Sequence, residues 1–105
     1  MRLVETSIFT RQIRALLTDE EYRELQTTLI LRPRSGAIIW GSGGLRKVRW
    51  GGRSHGRRGG IRVIYFWHAA ADTIFMLFAY SKNDQDDLTP QQVAKLRRVV
   101  REDLE

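Results

Sequence analysis

The sequence predicts an α+β fold, a small antiparallel β-sheet with two helices before it and one after it. Three observations lead there. Apolar residues recur at helical spacing through the first 31 residues, interrupted once by a capping signal at Thr18. Three strand-like stretches follow between residues 45 and 81, separated by turn and loop residues. A second capping signal, Thr89-Pro90-Gln91-Gln92, then opens an amphipathic tail. A chain of 105 residues has room for one core and not two, so residues 1–105 are expected to form a single domain.

In order, Leu3 to Glu5 is a short strand. Ser7 is placed to cap a first helix whose Phe9, Ile13, Leu16 and Leu17 fall on one face. Thr18 and Glu21 form a capping box for a second helix, with Tyr22, Leu25 and Leu29 on its apolar side. Pro33 stops that helix at Leu31 or Arg32. Arg34 to Gly44 is expected to be a loop, with Ile38, Ile39 and Trp40 as an apolar anchor. Leu45 to Trp50 alternates, so Leu45, Lys47 and Arg49 face one way while Arg46, Val48 and Trp50 face the other. Gly51 to Gly60 has the composition of a mobile loop. Ile61 to His68 and Thr73 to Ser81 are apolar on both faces, as covered strands are, and Ala69 to Asp72 turns between them. Consecutive strands taken as neighbours give an antiparallel meander. Lys82 to Leu88 is a polar exit, and Val93, Leu96, Val100 and Leu104 make the stripe of the last helix. The expected order is β-α-α-β-β-β-α.

The net charge of +6 is unevenly spread. Residues 25–71 hold nine Lys and Arg and no Asp or Glu, while both flanks are slightly acidic. Such segregation favours a polyanionic partner, of which nucleic acid is the commonest. With no cysteine there is neither a disulfide framework nor a thiolate metal site. The first residues lack the apolar run of a signal peptide, and no stretch reaches the roughly 18 apolar residues of a membrane helix. These features favour the cytosol and no membrane partner.

The chemistry narrows by elimination. His55 and His68 have no carboxylate near them in sequence, and a metal site needs three or four ligands, so no metal and no cofactor is expected. No nucleophile elbow, Walker loop or dinucleotide fingerprint is present, and Gly41-Ser42-Gly43-Gly44 precedes a strand rather than a helix. What remains is Lys47, Arg49, Arg62 and Lys82 on or beside strands, with Tyr80. In an antiparallel meander these four cations and one phenol converge. They can position an RNA phosphate and neutralise the charge that grows on it, while the 2′-OH serves as nucleophile. Arginine cannot act as a base, but a lysine crowded by cations can, and Tyr80 is a further proton carrier. Read singly, Tyr80 is also a core aromatic and Lys82 an edge charge. Arg46, Arg53, His55, Arg57 and Arg58 are expected to hold the RNA backbone.

Three segments carry a family likeness: Gly43-Gly44-Leu45-Arg46-Lys47-Val48-Arg49, Arg58-Gly59-Gly60-Ile61-Arg62-Val63-Ile64-Tyr65, and Tyr80 to Leu88, YSKNDQDDL. In this order and spacing they resemble the RelE/HigB toxins of bacterial type II toxin–antitoxin modules, the HigB branch most of all. The resemblance implies a RelE-like sheet with helices. It implies a ribosome-dependent endoribonuclease, an mRNA interferase that cuts messenger RNA in the ribosomal A site, inhibits translation and arrests growth. By position, Lys47 and Arg49 match the paired basic residues of the first motif, Arg62 the arginine of the second, and Lys82 falls in the third. The superfamily often has a tyrosine or histidine in its C-terminal segment, and here Ile74 to Glu105 offers only Tyr80. The implied partners are a cognate antitoxin with a helix-turn-helix domain, ribosomal RNA and messenger RNA, with operator DNA reached only through the antitoxin. Two other readings stand beside this one: a non-catalytic nucleic-acid-binding module, and a toxin of this fold with another target such as gyrase. A single-strand binder calls for exposed aromatic platforms, and Trp50 is the main aromatic outside the apolar strands.

Overall fold

Thr6 rather than Ser7 begins the helical part of the chain. Its hydroxyl accepts from the Phe9 N–H at 3.1 Å and donates to the Leu77 carbonyl at 3.1 Å. It therefore caps the first helix and ties it to a strand at once. The computed structural model describes residues 1–51 and 60–104, so most of the expected loop from Gly51 to Gly60 lies outside the described residues.

Strand β1 (Arg2–Glu5) leads into helices α1 (Ser7–Leu16) and α2 (Asp19–Leu31). The predicted capping box is present: Thr18 accepts from the Glu21 N–H, and the Glu21 carboxylate accepts from the Thr18 N–H. Then come β2 (Ala37–Ile38), β3 (Leu45–Trp50), β4 (Ile61–His68) and β5 (Thr73–Ser81). Asp72, in the left-handed region, closes the turn before β5. Helix α3 (Pro90–Val99) starts at the Thr89–Gln92 capping box and widens into a π-turn over Val100–Leu104.

The sheet order is β1-β5-β4-β3-β2. The expected meander is its centre, β3-β4-β5, and β2 adds an antiparallel edge. The sheet is not wholly antiparallel, because β1 pairs with β5 in parallel. Where β1 stops, α1 takes over the exposed edge of β5: the Gln12 side chain accepts from the Ala79 N–H at 2.8 Å, beside the Thr6–Leu77 bond.

Both faces of the sheet are covered, which is why β4 and β5 have no polar side. Phe9, Ile13, Leu25 and Leu29 of α1 and α2 pack on Val63, Tyr65, Ile74 and Met76. On the other face Leu96, Val100 and Leu104 pack on Leu45, Ile64, Phe66 and Leu77. The predicted apolar anchor at Ile38, Ile39 and Trp40 forms only in part. Ile39 packs beneath α3, but Ile38 is 54 % and Trp40 94 % exposed. The segment is an edge strand and its turn, so its side chains have no layer above them.

A bulge in the β4–β5 pairing shapes the site. Tyr65 lies opposite Met76 and Ile64 opposite Phe78, so Leu77 is the extra residue. Beyond it Arg62 faces Tyr80. Without the extra residue Arg62 would face Ala79, and Tyr80 would point to the α1–α2 side.

Candidate functional site

Strand register builds the centre of the site. Arg49 of β3 lies opposite Arg62 of β4, and Arg62 lies opposite Tyr80 of β5. Residues directly opposite across strands have their Cβ atoms about 4.5–5.5 Å apart, so the three make one row on the α3 face. Two like charges side by side in such a row are unfavourable on their own. Arg62 is only 6 % exposed, so its charge acts where water is scarce. Its guanidinium donates to the Ile61 carbonyl at 3.4 Å.

Lys47, two residues before Arg49, is on the same face of β3 and pairs with Asp87 at 2.5 Å. Asp87 belongs to the acidic exit loop and comes down onto the cations just before α3 starts. The hydrogen bond and the charge of Lys47 hold its carboxyl below the usual carboxylate range, and Arg49 and Arg62 act in the same direction. Tyr80 is buried at 6 % exposure within the core under α3. Its hydroxyl has no hydrogen-bond partner among the described residues. Burial pushes its pKa up, the negative charges of Asp87 and Asp86 push the same way, and Arg62 opposes them. The phenol therefore holds its proton at neutral pH: it is a donor, not a base.

The structure does not gather every expected residue. Lys82 lies one position past β5 and is exposed, with its N–H donating to the Gly60 carbonyl at 3.2 Å, near the start of β4. Arg46 is on the opposite face of β3 from Lys47. Its guanidinium donates to the carbonyls of Gly36 at 2.7 Å and Arg34 at 3.3 Å, so it fastens the segment before β2 instead of entering the cleft. Arg53, His55, Arg57 and Arg58 lie outside the described residues. Trp50 is not the exposed aromatic that the sequence suggests, because it packs on the α1–α2 core. Trp40 is the exposed one.

Sequence reasoning misses Asp87. The signal lies in the acidic run Asp84, Asp86, Asp87 directly after Lys82, which balances the basic centre once the exit loop folds back. Among the described residues no three His, Asp or Glu side chains gather where an ion could sit. No helix among them is long and apolar enough to cross a membrane. Chemically, the arrangement offers a surface of fixed positive charge and one proton held on a phenol, on strands or at their ends, with one carboxylate brought in by the exit loop. These are the parts for stabilising a phosphate and protonating a leaving oxygen.

The family model described as the RelE toxin of the RelE/RelB toxin–antitoxin system matches residues 1–104. Among solved structures, E. coli toxin RelE in the free state, with two arginines replaced by alanine, superposes with a TM-score of 0.63. The two share 16 % sequence identity over 90 % of this chain and 95 % of that one. At this identity the likeness is one of fold, and the α+β architecture is common to both.

Proposed function

The chain belongs to the RelE toxin family of toxin–antitoxin systems, and from that premise we propose that residues 1–105 act as one toxin domain, a ribosome-dependent endoribonuclease that cleaves messenger RNA in the A site. The observation that carries this reading is the row Arg49–Arg62–Tyr80, with Lys47 and Asp87 beside it. The RNA 2′-oxygen forms a bond to the adjacent phosphorus as the bond from phosphorus to the 5′-oxygen breaks. This leaves a 2′,3′-cyclic phosphate and a 5′-hydroxyl. Lys47, Arg49 and Arg62 neutralise the negative charge that builds on the phosphoryl oxygens. Tyr80, whose hydroxyl is covered in the free protein, gives its proton to the departing 5′-oxygen once RNA binding uncovers it. Asp87, held below the usual carboxylate range, is a weak acceptor for the 2′-OH proton, so charge stabilisation and leaving-group protonation carry most of the rate. Lys82, at the open end of the row, meets the RNA backbone.

A toxin of a toxin–antitoxin system has an antitoxin partner. The motif GGLRKVR at residues 43–49 supports the HigB branch, and with it an antitoxin that carries a helix-turn-helix domain and alone contacts operator DNA. The toxin acts in the cytoplasm, where ribosomal RNA and the codon complete the site. The test is inducible expression in bacteria with primer-extension mapping of cellular messenger RNA. Wild type is compared with Arg49→Ala, which alters an exposed residue, and with Arg62→Ala. Translation-dependent cuts inside reading frames, abolished in both variants, are expected. Growth arrest without cuts would sink the nuclease reading and turn attention to another target.

A further inference from the structure

Trp40 is 94 % exposed, yet the turn that carries it is tightly built. Ser42 is 1 % exposed, and its hydroxyl donates to the Ile39 carbonyl at 2.5 Å and accepts from the Leu45 N–H at 3.0 Å. Gly41 and Gly43 adopt φ of 74° and 77°, and Arg97 of α3 donates to the Gly41 carbonyl at 3.3 Å. A side chain of this size normally supplies about 150–250 Å² of buried area, so a rigid turn that leaves it outside withholds a large apolar surface from the core. The indole stands between two clefts. One is shared with Lys47, Arg49 and Asp87 of the site. The other is shared with Arg97, Arg98, Arg101 and Glu102 along α3. Cations, then an aromatic face, then cations again is the pattern of a groove that tracks a single-stranded backbone and stacks its bases.

Resting on the RNA-cutting reading of the site, we infer that Trp40 is a base-stacking platform for the RNA strand beside the cut, and that Arg98 and Arg101 hold the phosphates of that strand as it leaves across α3. RNA is favoured over a protein occupant because both clefts flanking the indole are rich in arginine and lysine, one of them continuous with the phosphate-binding row. Trp40 then fixes which nucleotide sits next to the scissile phosphate and tolerates any base with a π-face, with preference for the better stackers.

The test uses the full chain and a 2′-O-methyl RNA of about ten nucleotides, a length within the range of single-strand grooves, which no 2′-OH chemistry can cut. Binding is followed by anisotropy and by tryptophan emission. Trp40→Ala is expected to weaken binding roughly five- to hundredfold, while Trp40→Phe keeps most of it. Emission quenching by RNA should be present in wild type and absent in Trp40→Phe, whose Trp50 and Trp67 remain. Arg98→Gln combined with Arg101→Gln should lower the slope of log affinity against log salt by about 0.7 for each phosphate that is no longer neutralised. Unchanged RNA binding in Trp40→Ala would overturn the inference. So would a failure of that variant to bind antitoxin with its RNA binding intact, which would assign the patch to a protein partner. Because the probe cannot be cut, Trp40-dependent binding in a protein that makes no cuts in cells would overturn the nuclease reading and keep Trp40 only as an RNA-stacking platform, with no cut beside it.

Discussion

Tyr80 combines two features that pull in opposite directions. Its ring is core, packed under α3, while its hydroxyl is buried with no hydrogen-bond partner among the described residues. A buried hydroxyl without a partner costs about 1–3 kcal/mol, so stability alone would favour phenylalanine at this position. Tyr80→Phe should therefore leave thermal stability unchanged or raise it, while cleavage on programmed ribosomes in single turnover falls about 10²- to 10⁴-fold, the usual worth of a positioned proton donor. Equal cleavage rates would remove the tyrosine from the chemistry. Asp87 shows the complementary case. Exposed and paired with Lys47, it adds little to stability, but on the proposed reading it sets the charge of the cleft before RNA arrives. Residue type suggests Tyr80 as a proton carrier but not that its hydroxyl lacks a partner, and it gives no sign of Asp87, whose place depends on a loop folding back.

Among the elements, the β2 edge depends on a close approach behind it. Tyr65 of β4 accepts from the Gly36 N–H at 2.8 Å and donates to the Pro33 carbonyl at 2.7 Å. A Cβ on Gly36 would stand 2.8 Å from the Tyr65 ring and 3.0 Å from the Lys47 carbonyl. Gly36→Ala should cost about 1–3 kcal/mol, read as a lower denaturant midpoint at unchanged slope, because a fully buried tyrosine has nowhere to move. The helices, in contrast, are legible in the sequence almost completely. Thr18–Glu21 and Thr89–Gln92 mark two helix starts by local chemistry, and Pro33 marks an end. Edge strand β2 reads as loop in sequence because two residues carry no period and their pairing lies with β3. The sequence places the α1 cap one residue late because Ser7 and Thr6 are both capable and only the fold chooses between them.

At the scale of the molecule, Glu5 joins the two halves of the helical layer to the sheet. Its carboxylate, at the end of β1, accepts from Thr10 of α1 at 2.6 Å and from Tyr22 of α2 at 2.5 Å. Burial, then the hydrogen bond and charge of Glu5, push the Tyr22 pKa well above its ordinary value. A raised pKa in the folded state means that the contribution is complete below the ordinary tyrosine value of 10.0 and is lost as pH rises beyond it. Tyr22→Phe should cost about 1.5–3 kcal/mol at neutral pH, the worth of a hydrogen bond to a charged group, and should flatten the alkaline loss of stability. Thermal melts from about pH 7 to pH 11, spanning the ordinary tyrosine value, check this on both proteins. An equally steep alkaline loss in the variant would place its origin elsewhere.

The amino-acid sequence carries the helices, the three central strands, their apolar faces and the concentration of positive charge between residues 25 and 71. Those features are local: a cap, a proline, a period of two or of 3.6, a run without carboxylates. It also puts Lys47 and Arg49 on one face, since alternation along a strand is set by the backbone, and brings Arg62, Tyr80 and Lys82 towards them through the expected meander. The sequence already puts Tyr80 with them, but the bulge that turns it to this face appears only in the fold. One extra residue at Leu77 shifts the register of β5 against β4, and in strands apolar on both faces nothing in the pattern records such a slip. The fold alone brings Asp87 onto Lys47 and leaves Trp40 standing outside the core, because both depend on where α3 lies over the sheet. Contacts between segments 40 or more residues apart are set by packing energy summed over the whole core, which no single stretch of sequence contains.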